Sequence, residues 1–200
     1  MPPQEVGRRL QTMLAERSDQ RRRVTLASGR ESDFYFDSKP TVLDPEGAYL
    51  VGRAFLGALR ELPEFAELRA VGGLELGSVP IGTAIGVVSH LEGTPLGHLI
   101  LRKKPKDHGT GAAIEGAAGL SPGAAVAVVE DVVTTGGSSL RAVRQLREAG
   151  FRVDSLVTLI DRQEGGRETV EAAELRLVSL FVRSDFDDGS GSREATTRSR

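Results

Sequence analysis

The feature that most constrains this chain is an alternation that begins at Leu68: short, continuous apolar runs, each followed by a stretch with helical spacing. Residues 69–71 run into Gly72-Gly73, and Pro80 opens a helical pattern that continues to about His90. Leu99-Ile100-Leu101 and residues 125–129 are apolar throughout, the pattern of strands buried on both faces. After Gly136-Gly137, residues 138–149 return to helical spacing, with Gly150 as the stop just beyond. Residues 153–160 read as a strand, residues 168–174 as a helix and residues 175–182 as a last strand. Apolar strands alternating with helices predict an α/β fold whose central, mostly parallel sheet is flanked by helices.

The region before Leu68 is less regular. Val6, Leu10, Met13 and Leu14 share one face of a short amphipathic helix over residues 4–17. Val24-Thr25-Leu26 and Phe34-Tyr35-Phe36 are extended runs, and Asp44-Pro45 supplies an N-cap and a first helical residue. A length of 200 residues suits one domain, here 1–184, and the polar residues 185–200 read as a disordered tail.

Composition excludes several kinds of chemistry. There is no Cys, so disulfides, thiolate metal sites and Cys nucleophiles are out. His90, His98 and His108 lack the i,i+4 spacing of a helical metal site. No apolar run approaches the ~18 residues of a membrane span, and residues 1–14 contain no signal-type apolar core, so a cytoplasmic protein is expected. With 26 basic and 28 acidic residues the net charge is −2, which argues against a nucleic-acid partner.

The chemistry concentrates in residues 128–139. An apolar strand is expected to end at Glu130-Asp131, followed by Val132, Val133 and the small, hydroxyl-rich turn Thr134-Thr135-Gly136-Gly137-Ser138 that feeds a helix. Main-chain N–H groups of such a turn cradle a phosphate, with Thr and Ser hydroxyls as further donors. Two carboxylates beside a phosphate repel it unless hydroxyls or cations lie between, and a ribose 5-phosphate meets that requirement with its 2′- and 3′-hydroxyls. A Walker-type loop, a dinucleotide fingerprint and a G-x-S-x-G elbow are all absent from the sequence. A second concentration lies at Arg102, Lys103, Lys104, Lys106, Asp107 and His108, a local charge of +3 against −5 for the rest of the chain.

Residues 128–139 resemble the phosphoribosyl pyrophosphate (PRPP) motif of type I phosphoribosyltransferases. Leu26-Ala27-Ser28-Gly29-Arg30 with Phe34-Tyr35-Phe36-Asp37, the stretch from Val71-Gly72-Gly73 to Pro80, the run from Arg102 to Gly109 and Asp161-Arg162 are similar to orotate phosphoribosyltransferases. The likeness covers about residues 20–180. It implies the type I fold, with an N-terminal hood over about residues 1–40 and a mobile loop. PRPP would be held by Arg102, Lys103, Lys106, His108, Glu130, Asp131 and residues 132–138. Lys106, Asp107 and Asp131 would take part in catalysis, and Thr134, Arg162, Tyr35 and Phe36 would contact orotate. The resemblance also implies Mg²⁺ bound through PRPP and water without a direct protein ligand, and a homodimer sharing the loop over residues 102–111. Many members carry Lys where this chain has Ala27 and Gly77, which removes two cations expected to help hold PRPP. A transferase for another base, or a PRPP-sensing regulator without catalysis, is the alternative.

Overall fold

This computed structural model describes residues 1–20, 24–25, 31–32, 35–103 and 114–186. The first helix, α1 (Pro3–Arg17), buries Val6, Leu10, Met13 and Leu14 at the spacing expected of one helical face. Short antiparallel pairs follow: β1 (Asp19–Gln20) with β4 (Tyr35–Phe36), and β2 (Val24–Thr25) with β3 (Glu31–Ser32). A one-turn helix, α2 (Lys39–Val42), was not expected from the sequence. Its Thr41 hydroxyl shares a buried 2.8 Å hydrogen bond with Ser18, tying it to the end of α1. The next helix, α3 (Pro45–Arg60), begins as expected: the Asp44 carboxylate accepts from the Glu46 and Gly47 N–H groups at 2.9 and 3.1 Å.

Six strands form the main sheet: β5 (Leu68–Leu74), β6 (Gly97–Leu101), β7 (Ile114–Glu115), β8 (Ala125–Val133), β9 (Ser155–Asp161) and β10 (Arg176–Val182). Their order is β10-β9-β8-β5-β6-β7, parallel except for β7, which pairs antiparallel with β6. Successive residues point to opposite faces, so Val71 and Val129 join one core while Ala70 and Val128 join the other. The first core receives Leu10 of α1, Phe55 of α3 and Ile85 of α4 (Ser78–Leu91). The second receives Leu146 of α5 (Gly137–Glu148) and Val170 of α6 (Gly166–Glu171). Each such Leu, Ile or Phe stabilises the fold by about 1.5–3 kcal/mol on burial, so the doubly covered sheet is the scaffold on which everything else is placed.

Three boundaries differ from the sequence reading. The strand β5 continues through Gly72-Gly73, which pair with Leu99 and Ile100 of β6, and a Cβ on Gly73 would lie 2.3 Å from the Val129 carbonyl oxygen and 2.4 Å from the Ser78 Cβ. These glycines mark close packing rather than a turn. Helix α6 spans Gly166–Glu171 rather than 168–174, since Gly165 at φ +86° turns the chain earlier. The packed chain also extends past residue 184: Phe186 is buried against Phe36 and Phe181, at ring distances of 5.8 and 6.0 Å. Residues 187–200 lie outside the described residues. Among the described residues, no helix is long and apolar enough to cross a membrane.

Candidate active site

After β5 the chain builds β6 on one side and then crosses to β8 on the other, so strand order reverses between β5 and β8. Ligands of open α/β sheets bind outside the carboxyl ends of strands at such a reversal. The β5–β8 ladder ends at Gly72 opposite Val128, while β8 goes on pairing with β9 as far as Val133 opposite Asp161. A crevice therefore opens beside residues 129–133. Its cavity, about 930 Å³, is lined among others by Glu130, Asp131, Ser138, Lys103, Lys39 and Glu75.

The carboxylates do not end the strand, as the sequence suggested. They sit inside it, because β9 continues to supply partners through Val133. Glu130 is only 6 % exposed. Burial, above all, and then the neighbouring Asp131 charge hold its carboxyl well above the usual 4.5, with Lys103 acting weakly the other way. Asp131 is more open. Its Oδ2 accepts from the Ser38 hydroxyl at 2.8 Å, and its Oδ1 accepts from the Val132 N–H at 2.9 Å. A buried acid of raised proton affinity beside an oriented carboxylate suits adjacent hydroxyls better than a bare anion.

The turn lies immediately beyond. Gly136 adopts φ +81°, a left-handed conformation that side chains resist, and from it α5 starts with its free N–H groups exposed to the crevice end of the sheet. Gly166 buttresses the turn: a Cβ there would lie 2.5 Å from Val133 Cγ1 and 2.7 Å from the Thr134 carbonyl oxygen. Thr135, Gly137 and Ser138 are exposed and Thr134 is half-buried. Val133 is buried in the α5–α6 core and its carbonyl accepts from the Arg162 N–H at 2.9 Å. Its side chain therefore belongs to the core.

The basic segment is described only as far as Lys103. Arg102 pairs with Glu115 at 3.2 Å and lies 4.0 Å from Glu75, and the Lys103 N–H donates to Glu75 at 3.1 Å. These contacts anchor the start of the segment at the mouth of the cavity. Lys106, Asp107 and His108 lie outside the described residues, as do residues 26–30 and Phe34, and so does the Tyr35 side chain. Phe36 is packed against Phe186 in the core. Arg162 is 5 % exposed, pairs with Glu164 at 2.8 Å and is not among the residues that line the cavity. Sequence reasoning missed Ser38 and Glu75, which reach the site from distant segments and carry no local signature.

A parallel sheet with paired acids and a Thr-Thr-Gly-Gly-Ser turn at its switch point defines a type I phosphoribosyltransferase. No protein-family model matches the chain. An orotate phosphoribosyltransferase of Sorangium cellulosum is 49 % identical over 178 residues, covering 89 % of this chain and 91 % of that protein. One from Bradyrhizobium diazoefficiens is 46 % identical over 180 residues, covering 89 % and 94 %. The crystal structure of Mycobacterium tuberculosis orotate phosphoribosyltransferase in complex with PRPP superimposes with a TM-score of 0.73 at 32 % identity, covering 90 % of this chain and 98 % of that one. The chain belongs to the orotate phosphoribosyltransferase family.

Proposed function

We infer that the chain transfers the 5-phosphoribosyl group of PRPP to orotate, releasing pyrophosphate and giving orotidine 5′-monophosphate on the route to UMP. The crevice between β5 and β8 carries this reading, because it joins an acid pair suited to a ribose diol with a helix-start turn suited to its 5′-phosphate. Glu130 and Asp131 hold the diol, and residues 134–138 hold the phosphate. A ring N–H of orotate gives up its proton to the departing pyrophosphate or to water, and the nitrogen forms the new bond to C1 as the C1–oxygen bond to pyrophosphate breaks. Asp131 favours the positive charge that develops on the ribose ring, an interaction stronger in the transition state than in the ground state.

Arg102 and Lys103 stand where the pyrophosphate leaves, and the segment they begin, with Lys106, Asp107 and His108, closes over it and excludes water. Arg162 supplies the planar fork that a ring carboxylate requires, held by Glu164 until orotate arrives. Thr134 is a second orotate contact. Mg²⁺ suits this donor set as an ion carried by PRPP. Glu130 is buried and its proton affinity is raised, which makes it a weak ligand for a cation. Carried by PRPP, such an ion would supply positive charge against the departing pyrophosphate, beside Arg102 and Lys103.

A second copy of the chain completes the enzyme. Leu43, Tyr49, Leu76, Val87 and Leu91 are five of the six exposed large apolar side chains among the described residues, and all five line the same cavity mouth. A contiguous exposed apolar patch beside a charged site marks an interface. A homodimer covering it brings the segment over residues 102–111 of one protomer to its partner's crevice. The charged substrates place the reaction in the cytoplasm. Turnover is the test: orotate absorbance falls when PRPP and Mg²⁺ are added, and an unchanged spectrum contradicts the assignment.

A further inference from the structure

Two residues beside Asp131 break the local rules of the elements they start. Ser38 occupies the N-cap of α2, where a Ser hydroxyl ordinarily bonds its own helix, yet no side-chain cap bond is made. The hydroxyl, on a residue only 1 % exposed, donates instead to Asp131 Oδ2 at 2.8 Å. Gly77 occupies the N-cap of α4 at φ −58° and ψ −44°, a conformation open to every residue. Backbone freedom does not explain the glycine. Space does: a Cβ at Gly77 would lie 2.5 Å from Asp131 Oδ1 and 2.7 Å from its Cγ.

We propose that Ser38 and Gly77 are positioning residues that together form a seat for the Asp131 carboxylate and fix its rotation for the ribose diol. An ionised carboxylate has about four acceptor sites, two on each oxygen. The Ser38 hydroxyl takes one on Oδ2 and the Val132 N–H takes one on Oδ1. The Glu130 carboxyl bonds to Asp131 as well, and both acids line the cavity. The pair, held in this way, can receive two neighbouring hydroxyls of one sugar. Gly77 lets the carboxylate lie flat against the start of α4, and Ser38 stops it from rotating away. The seat couples α2, far away in sequence, to the strand that carries the acids. Departures from local preference of this kind are expected where function has shaped a site.

This inference rests on the functional reading above, and the experiment separates the two. Wild-type turnover with PRPP tests that reading; should another base prove to be the acceptor, the seat is tested with that base. Ser38→Ala and Gly77→Ala are each expected to lower kcat/KM for PRPP roughly 10-fold, about 1.4 kcal/mol. KM for orotate should stay within about twofold. Ser38→Thr, which restores the hydroxyl, should recover most of the loss. In an Asp131→Ala background the penalties of Ser38→Ala and Gly77→Ala on PRPP affinity, read by calorimetry, should shrink below about twofold, the non-additivity of groups acting through one carboxylate. Penalties that persist undiminished without Asp131, or single variants with unchanged kcat/KM, overturn the seat.

Discussion

At the scale of single residues, Glu130 shows what the site costs the fold. Its carboxyl is held well above 4.5 by burial and by Asp131, so the folded chain binds its proton where the unfolded chain has released it. Stability contributed by that proton is full below about pH 4.5 and is lost as pH rises toward the raised value. Glu130→Gln mimics the protonated form. It is expected to melt a few degrees above wild type near pH 8, where it removes a burial penalty of about 1–3 kcal/mol, with the gain vanishing near pH 4.5. The same variant should bind PRPP more weakly. A melting difference that does not grow with pH contradicts this account of Glu130. The acid pair was legible because both residues sit in one short motif. The Ser38 partner of Asp131 was not, since 93 residues separate them. Phe36 packs on Phe186, a contact 150 residues away in sequence that no local pattern shows.

At the scale of elements, the strand–turn–helix of β8 and α5 sets the phosphate end of the site. Its sequence predicted the order of parts but not where the strand stops, because that depends on β9 pairing through Asp161 rather than on local composition. Gly136 is the hinge of the unit, at φ +81° and packed so that a Cβ would lie 3.2 Å from the Gly166 carbonyl oxygen. Gly136→Ala is expected to cost about 1–2 kcal/mol of stability through its left-handed backbone. By re-aiming the turn's N–H groups it should also raise KM for PRPP roughly 10-fold, a factor worth about 1.4 kcal/mol. Steady-state kinetics beside thermal melting check both, and a variant that loses stability without losing PRPP affinity would take the turn out of phosphate binding. Helix α3 was easier to read, since the Asp44-Pro45 signal is wholly local and the structure uses it as a cap.

At the scale of the whole molecule, the alternation from Leu68 onward was enough to predict a parallel sheet covered on both faces. Position in sequence could not show that exposed apolar residues from α3, α4 and the connections before them converge on the mouth of the crevice. Leu91 is 76 % exposed and Leu76 67 % exposed, and both line the cavity that holds the acid pair. Leu91→Asp should therefore shift the protein from dimer to monomer in sedimentation or light scattering, with lower turnover at the same protein concentration. A wild-type chain that sediments as a monomer while fully active would remove the second copy from the account. The near-neutral net charge of −2 is likewise resolved by position into an acid pair within the crevice and cations at its mouth. The central claim is that this crevice joins PRPP to orotate, and the most direct measurement follows orotate absorbance with PRPP and Mg²⁺ beside parallel reactions containing uracil, adenine or hypoxanthine. The account predicts PRPP-dependent loss of orotate with formation of orotidine 5′-monophosphate and little turnover of the other bases; unchanged orotate with turnover of another base would contradict it.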